Sequence, residues 1–290
     1  MIRQSAAVTF RPELSNRAYH EILSHDSNSS LRLFDKSPSK YHAIRIAKTI
    51  TPKPQTEEQK IGDATHTVVL QPELIEQTLI KIPAEVLAKN GARSTNEYYA
   101  WSAENAGKTQ LKAAEYCEVL KMVEAVQRSI VARESNLKRC TDFELSIFDA
   151  QTKARFDGIA TVDAFFLDLK SHRWESEGEF WKSVREYSYH CQAALYSDIF
   201  EAAYGIKPVA KWLLVQNEPP YDVLVRTVPQ WMIEWGRSEN QRVLDELNRR
   251  REANNWNPEG YDVERDLDCP EHFGPRRATA YQEAGPRHEY

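Results

Sequence analysis

The stretch from Arg155 to Lys170 constrains the fold more strongly than any other part of the sequence. It reads RFDGIATVDAFFLDLK, and its alternating apolar residues predict two antiparallel strands. With the turn placed just after Val162, Asp157 and Asp168 lie opposite each other, with Cβ atoms about 4.5–5.5 Å apart. Lys170 follows two residues later and therefore shares their face. The hairpin predicts a cluster of two carboxylates and one ammonium.

This cluster indicates a site for a divalent cation, because two carboxylates at such a distance repel unless a cation lies between them. Oxygen ligands with room for water suit Mg²⁺ or Mn²⁺, which keep several waters when bound. An ammonium beside a metal-bound water can orient or deprotonate it for attack on a phosphodiester. The alternative is a solvated hairpin face with an ordinary salt bridge between Lys170 and Asp168.

Two further motifs lie where they could reach this cluster. Gln192 and Tyr196 are four residues apart on a predicted helix and therefore share one helix face. Their amide and hydroxyl groups could bind a phosphate or the attacking water, although a polar helix edge explains them equally well. Upstream, His66 lies on another predicted helix and is a candidate metal ligand, with a purely structural histidine as the alternative.

The charge balance argues against a protein that coats nucleic acid. The 290-residue chain carries a net charge of −5, whereas such proteins are strongly basic. The charge is uneven, however: residues 1–60 carry a net +4 and the remaining residues −9. A local contact with a polyanion is therefore expected in the first sixty residues, and part of the acidic excess is expected to bind a cation.

The sequence predicts a soluble protein of a reducing compartment. No stretch approaches the 18 apolar residues of a membrane-spanning helix, and the N-terminus lacks the apolar run of a secretory signal. We therefore expect a cytoplasmic location and no membrane partner. The cysteines form no C-x-x-C pair and are expected to be free thiols; they are Cys117, Cys140, Cys191 and Cys269.

The spacing of apolar residues along the sequence predicts one mixed α/β domain with peripheral helices. Helices are predicted at 15–47 (with a loop at Ser27–Ser29), 56–70, 111–130, 179–204 and 230–253. Strands are predicted at 143–148, 154–160 and 165–170, and a second hairpin at 211–216 and 221–228. Residues 82–108 are interpreted as an irregular insertion.

The order of these motifs resembles the PD-(D/E)XK nuclease superfamily, in the RecB-type branch that adds a helix-borne histidine and a Q-x-x-x-Y motif. The matching residues are Gly62-x-x-x-His66, Asp157, Asp168-Leu-Lys170 and Gln192-x-x-x-Tyr196. N-terminal segments narrow the resemblance to the nuclease domain of RecE-type exonucleases (exodeoxyribonuclease VIII), over about residues 19–205. These segments are Tyr19-His20, Ser27–Leu31, Ser37–Tyr41 and Ile61–Glu73.

The resemblance implies an α/β fold with a restriction-endonuclease-like core, which is a mixed central sheet flanked by helices. Extra N-terminal helices and a C-terminal tail would complete it. Residues 1–255 are predicted to form a single exonuclease domain, with a DNA-contacting helical part at 19–60 and the catalytic sheet at 140–228. Residues 256–290 would be a C-terminal extension.

The implied activity is a Mg²⁺-dependent exonuclease, with Mn²⁺ able to substitute, that degrades the 5′ strand of linear double-stranded DNA. Its 3′ single-stranded overhangs would serve phage or prophage recombination in a bacterial host through a single-strand annealing protein. The family also implies a ring-shaped homo-oligomer, a trimer or a tetramer, around the DNA. An iron–sulfur cluster is not expected, because Cys269 stands alone where a group of three cysteines would be needed.

The resemblance also implies roles for the residues of this sequence that match the family's motifs. Lys170 would position or activate the water, and Ser171 stands where the family often has threonine. Metal ligands would be His66, Asp157, Asp168 and the carbonyl of Leu169, with Gln192 and Tyr196 holding the phosphate and water and Glu144 a possible additional acid. DNA contacts are predicted at Ser27, Ser29, Arg32, Lys36 and Lys40, the last three at helical spacing.

Three alternatives remain open at this point. A protein of the same fold could bind or assemble on DNA without cutting it, although a binding module does not need gathered carboxylates. A RecB-like nuclease with an iron–sulfur cluster would be coloured when purified. A structure- or sequence-specific DNA endonuclease would cut a covalently closed circle, whereas an exonuclease requires an end.

Overall fold

The strands form two sheets in the described part of this computed structural model, which comprises residues 8–52, 55–174, 176–258, 260–261 and 264, without the Glu177 side chain. They are β1 (Thr9–Arg11), β2 (Leu79–Lys81), β3 (Thr109–Leu111), β4 (Asp142–Phe148), β5 (Lys153–Ala160), β6 (Phe165–His172), β7 (Val209–Gln216) and β8 (Val223–Thr227). The central sheet has the order β1-β4-β5-β6-β7-β8, and β2 pairs with β3 in parallel. Neighbours in the central sheet are antiparallel except β6 and β7.

Helices occupy most of the remaining described chain. They are α1 (Asn16–Glu21), α2 (Asn28–Lys36), α3 (Pro38–Tyr41), α4 (Glu57–Leu70), α5 (Ile75–Thr78), α6 (Asn96–Glu104), α7 (Ala113–Arg128), α8 (Ile130–Arg133), α9 (Glu177–Glu186), α10 (Tyr189–Tyr204) and α11 (Gln230–Ala253). A π-helical turn covers His42–Ile46. Short 3₁₀ turns cover Pro72–Leu74, Ala84–Val86 and Leu137–Arg139.

Local capping explains where the helices near the N-terminus begin. The Ser27 side chain accepts from the backbone N–H of Ser30, whose hydroxyl in turn accepts from the Ser27 N–H. Thr56 and Gln59 form the same reciprocal pair at the start of α4. Such capping boxes satisfy backbone donors that have no partner inside the helix. The predicted helix starts near Ser30 and at Thr56 are therefore confirmed to within two residues.

The hydrophobic core lies on both faces of the central sheet. On one face, α2, α10 and α11 pack over a cluster that includes Phe34, Phe156, Phe200, Trp212 and Met232. On the other face, α4 and α7 pack over a second cluster; it includes Val68, Met122, Leu167, Leu169 and Leu213. Strand β6 contributes to both clusters because successive side chains point to opposite faces. This alternation places Asp168 and Lys170 on the face of α10.

The register of the hairpin formed by β5 and β6 confirms the predicted turn. Gly158 pairs with Leu167, and Ala160 pairs with Phe165, as a turn after Val162 requires. The second hairpin and the final helix also agree with the sequence pattern, since β7 and β8 are antiparallel and α11 spans residues 230–253.

Two predictions of secondary structure need correction, and one strand was missed. The helix predicted over 179–204 is two helices, because Ser188 adopts the left-handed conformation with φ 54°. The predicted irregular insertion at 82–108 contains α6, which begins after the capping residue Thr95. Strand β1 was not predicted, because it has only three residues, all of them exposed.

The chain divides into two units, residues 1–256 and 257–290. The second unit, and with it the predicted C-terminal extension, falls almost wholly outside the described residues, as does Cys269. Cys117, Cys140 and Cys191 are free thiols. Among the described residues, no helix combines the length and apolar composition that crossing a bilayer requires.

Candidate active site

The predicted carboxylates lie where β5 and β6 separate. The hydrogen-bonded ladder between these strands ends at the pair Gly158 and Leu167, one position before Asp157 and Asp168. Beyond this point the Asp157 carboxylate occupies the gap and accepts a 2.6 Å hydrogen bond from the backbone N–H of Leu169. Both aspartates are buried, at 8% and 4% exposure. Asp157 and Asp168 therefore do not simply face each other. Each side chain contacts its own group of neighbouring residues.

Asp168 belongs to the first group, together with Lys170 and Gln192. Lys170 Nζ lies 3.0 Å from Asp168 Oδ1 and 2.9 Å from Oδ2, and it also donates to Gln192 Oε1 at 2.9 Å. Gln192 Nε2 in turn donates to Asp168 Oδ1 at 3.1 Å. This closed triangle joins the end of β6 to α10. It confirms that the predicted Asp168, Lys170 and Gln192 come together in space.

Asp157 belongs to the second group, together with His66 and Glu144. The distance between His66 Nδ1 and Asp157 Oδ2 is 3.5 Å, and each of the three residues offers a ligand atom within 4.8 Å of the others. Helix α4 carries His66 and approaches β6 closely at Gly62, where an added Cβ would lie 3.4 Å from Ser171 Oγ. The packing of α4 beside β6 thus brings His66 to the carboxylates.

A local irregularity in β4 brings Glu144 into this group. The pairing of β4 with β5 passes from Phe143–Gly158 to Leu145–Phe156 and omits Glu144, whose φ is 53°. Positive φ is uncommon for a residue with a side chain and often marks a functional position. Arg155 Nε donates to the Glu144 carboxylate at 2.6 Å and holds it in place.

The carboxylates and the imidazole in the second group shift one another's pKa values. Burial opposes a charged His66, but the charges of Asp157 and then Glu144 outweigh it and raise the pKa of His66 to about 9. Burial likewise opposes the Asp157 charge, yet His66 and Lys170 hold the pKa of Asp157 below its usual value. Burial and the neighbouring Asp157 charge raise the pKa of Glu144. When no cation is bound, the positive charge of the protonated His66 ring therefore offsets the negative charges of Asp157 and Glu144.

In the first group, the same effects keep Lys170 charged. Burial lowers the pKa of Lys170, but the Asp168 carboxylate, together with Tyr189 and Asp157, outweighs burial and raises it above its usual value. Burial and the Asp157 charge raise the pKa of Asp168 to about 6, against the opposing effect of Lys170. Lys170 is therefore an ammonium at neutral pH. In this protonated form Lys170 can donate hydrogen bonds but cannot accept a proton.

The donor set of the second group fits a divalent cation. One imidazole nitrogen and two carboxylates are typical ligands for Mn²⁺, and carboxylates with open water positions also suit Mg²⁺. The predicted ligand set contained Asp168, whereas the cluster formed by the described residues contains Glu144 in its place. Asp168 instead contacts Lys170 and Gln192. Ligation by Asp168 or by the Leu169 carbonyl stays a prediction.

Tyr196 lies one turn beyond Gln192 but is buried in the core. Its ring packs against Phe156, with centroids 4.9 Å apart, and against Phe166, at 6.0 Å. Burial raises the pKa of Tyr196 well above its usual value. The tyrosine is therefore a core residue one helical turn after Gln192. Direct contact between Tyr196 and a phosphate stays a prediction.

The five predicted DNA contacts do not form one exposed row. Ser27 caps α2, and its hydroxyl lies 2.9 Å from that of Ser29. The Arg32 side chain is 12% exposed and donates to Asn240 of α11 at 2.8 Å, so it stabilises helix packing. Lys36 and Lys40 are exposed but lie on separate helices, because Ser37 ends α2 and caps α3. The common helix face predicted for Arg32, Lys36 and Lys40 was therefore wrong, and contact of these residues with DNA stays a prediction.

Sequence reasoning missed two residues beside the site. Tyr189 places its ring centroid 4.7 Å from Lys170 Nζ. Arg155, the first residue of the predicted hairpin segment, pairs with Glu144. The alternation of β5 could have placed Arg155 on a strand, but no pattern links it to Glu144. Tyr189 follows the break at Ser188, which the continuous helical pattern concealed.

The raised pKa of His66 predicts that metal affinity depends on pH. A metal requires the neutral imidazole, so binding releases the proton that His66 carries below its pKa of about 9. Between pH 7 and pH 9 we expect Mn²⁺ affinity to rise by about tenfold per pH unit and to level off above that range. Titration calorimetry in buffers of different ionisation enthalpy measures the released proton. In His66→Asn the affinity should be lower and nearly independent of pH; an unchanged pH dependence would contradict ligation by His66.

Comparisons with known proteins bear on the family and the fold of this chain. A family described as a PDDEXK-like domain of unknown function (DUF3799) matches residues 27–260. The crystal structure of a protein from Eubacterium rectale, named "Putative exonuclease", is similar with a TM-score of 0.60 and 14% sequence identity. The similarity covers 89% of this chain and 96% of that one. No curated protein matches the sequence.

The structural similarity confirms the predicted fold class. The fold is restriction-endonuclease-like, with a mostly antiparallel central sheet flanked by helices. The match over residues 27–260 also confirms the superfamily to which the sequence motifs pointed.

Proposed function

Because the chain belongs to the PDDEXK-like domain family of unknown function DUF3799, we propose that it is a Mg²⁺-dependent exonuclease acting on linear double-stranded DNA. It degrades the 5′ strand and leaves 3′ single-stranded overhangs. The observation that carries this proposal is the Lys170–Asp168–Gln192 triangle beside the cluster of His66, Glu144 and Asp157. The resemblance to RecE-type exonucleases supports the polarity.

His66, Glu144 and Asp157 would hold the divalent cation, with Asp168 as a further ligand. When bound, the cation supplies Lewis-acid stabilisation of phosphate charge and lowers the pKa of a water. Leu169 fixes the Asp157 carboxylate through its backbone N–H. Each of these residues is thus held in place before a substrate arrives, which limits the reorganisation needed during the reaction.

Lys170 and Gln192, which both contact Asp168, form the second part of the proposed site. The Lys170 ammonium has hydrogen-bond donors that can orient a water or a phosphate oxygen, and its charge favours the negative charge that develops on the phosphodiester. Gln192 accepts from Lys170 and donates to Asp168, so it is a positioning residue for both. Tyr196 packs in the core one helical turn after Gln192.

The test compares linear duplexes labelled at the 5′ or the 3′ end, in Mg²⁺ and in Mn²⁺, with a covalently closed circle. We expect early release of the 5′ label, retention of the 3′ label on a long strand, and an intact circle. Cutting of the circle would support an endonuclease. Earlier release of the 3′ label would reverse the polarity, and binding without cleavage in either metal would indicate a catalytically silent DNA-binding protein.

We also propose that the protein forms a homo-oligomer and passes its product to a partner protein. A ring-shaped homo-oligomer, a trimer or tetramer, would retain the DNA between successive cuts, and a single-strand annealing protein would receive the overhang in the cytoplasm of a bacterial host. Sedimentation velocity across a range of protein concentrations tests the assembly. A particle that remains monomeric throughout, with and without DNA, would contradict the ring.

A further inference from the structure

An aromatic pair extends outward from Lys170 at the junction of α9 and α10. Lys170 Nζ lies 4.7 Å from the centroid of Tyr189, and Tyr189 stacks on Tyr187 with centroids 5.6 Å apart and planes inclined by 26°. The ring of Tyr189 is half-buried and lies near Phe180 and Trp212. Tyr187 is 49% exposed. The pair therefore connects the catalytic lysine to an accessible aromatic ring.

This stacking exists only because the helix is interrupted. Residues i and i+2 of a continuous helix do not face each other. Between the two tyrosines, Ser188 adopts φ 54° and ψ 45°, a left-handed conformation that costs free energy for a residue with a side chain. Such strained positions concentrate at ligand-binding sites. The interruption turns two tyrosines that would diverge into a stacked pair.

A second contact holds Tyr187 in orientation. The ring of His172, two residues beyond Lys170 on β6, meets the Tyr187 ring edge-on with centroids 6.1 Å apart. His172 is itself hydrogen-bonded to the Ser183 hydroxyl of α9. A ring held from two directions loses little conformational freedom when a ligand stacks on it, which favours binding.

We propose that the Tyr187–Tyr189 pair binds an unpaired nucleobase of the strand being cleaved. This inference rests on the proposed function, since it takes the strand at Lys170 to be DNA. Aromatic rings bind single strands by stacking and tolerate any base, as an exonuclease without sequence preference requires. Nucleotides in a stacked strand are about 3.4 Å apart, so two ring contacts from Lys170 place this base within a few nucleotides of the scissile phosphate.

Stacking on Tyr187 also requires that the bound base be unpaired. The faces of bases inside a duplex are covered by their neighbours, so a base becomes available to a protein ring only after it leaves the stack. The aromatic pair therefore selects a strand end that has separated from its complement. Closed duplex without an unpaired base gains nothing from this contact.

The experiment measures fluorescence anisotropy of a labelled single strand, and of a duplex closed at both ends by non-nucleotide linkers that carry no base, with the full chain in EDTA so that no cleavage occurs. Tyr187→Ala should bind the single strand about 5- to 100-fold more weakly, which is the loss expected for one stacked base. Tyr187→Trp should retain wild-type affinity. Tyr99→Ala, which removes another exposed tyrosine on α6, is the matched control and should have no effect.

The outcomes separate this inference from the proposed function. Equal single-strand affinity of Tyr187→Ala and wild type would overturn the stacking site even if the linear-duplex assay shows exonuclease activity. An equal loss for the single strand and the closed duplex would also overturn it, because it would indicate a general contact. If the protein does not cleave DNA but Tyr187→Ala selectively loses single-strand binding, the stacking site stands and the nuclease assignment falls.

Discussion

Asp168→Asn and Lys170→Met are each expected to reduce DNA cleavage by about 10³-fold or more. Both replacements keep the shape of the side chain but remove the charge from the pair whose Nζ and Oδ2 atoms are 2.9 Å apart. Stabilisation of a phosphodiester transition state by a metal and charged groups contributes several kcal/mol, and each 1.36 kcal/mol corresponds to tenfold in rate. Initial rates on 5′-labelled linear duplex measure the loss.

The matched control for this experiment lies in the turn of the same hairpin. Asp163 is paired with Arg139, whose side chain is 53% exposed, and such surface pairs contribute little to stability. We therefore expect Asp163→Asn to cleave at the wild-type rate. Circular dichroism and thermal unfolding should show that all three variants fold. Wild-type cleavage by either Asp168→Asn or Lys170→Met would remove those residues from the proposed mechanism.

Gly236→Ala is expected to cause the largest loss of stability from a single methyl group. A Cβ at this position of α11 would lie 2.2 Å from the carbonyl oxygen of His190 on α10, and backbone atoms cannot rotate away. The two helices would have to separate. Overpacking of this kind costs about 1–3 kcal/mol or more, which exceeds the gain of about 1 kcal/mol in helix propensity. Urea unfolding measures the free energy of unfolding.

A second glycine in a helix provides the comparison. Among the described residues, an added Cβ at Gly178 of α9 would meet only Ser176 Oγ, at an ordinary contact distance of 3.6 Å. Gly178→Ala should therefore leave the free energy of unfolding unchanged or slightly higher. Because His190 lies two residues before Gln192, we also expect Gly236→Ala to lower the cleavage rate of the folded fraction. Equal stability of Gly236→Ala and wild type would show that α10 and α11 are not in close contact here.

The site could be predicted from sequence to the extent that it depends on short-range periodicity. Alternation of period two, with one turn, placed Asp168 and Lys170 on a common face, and the register of Gly158 with Leu167 confirms that turn. Helical spacing likewise placed Gln192 and Tyr196 on neighbouring turns of one helix. These relations hold within a hairpin or a helix, where the backbone geometry alone determines which side chains are adjacent.

The sequence could not show which of these residues contact which. Glu144 joins His66 because β4 departs from regular pairing, and this departure depends on packing between strands and on the ion pair with Arg155. Arg32 has the spacing of an exposed cation, yet α11 covers it and supplies Asn240 as its partner. A pattern along one helix contains no information about the element that will pack on it.

The sequence by itself determined the hairpin of β5 and β6, the boundaries of α4, α7 and α11 to within two residues, and the superfamily, because each depends on local patterns or on the order of motifs. Only the tertiary structure decided that β6 and β7 run parallel, that Asp157 joins His66 and Glu144 while Asp168 joins Lys170, and that an interrupted helix stacks Tyr187 on Tyr189. The physical reason is that these contacts join distant segments, and their energies depend on which surfaces are buried together. Local periodicity specifies the faces of each element, but long-range packing determines what those faces meet.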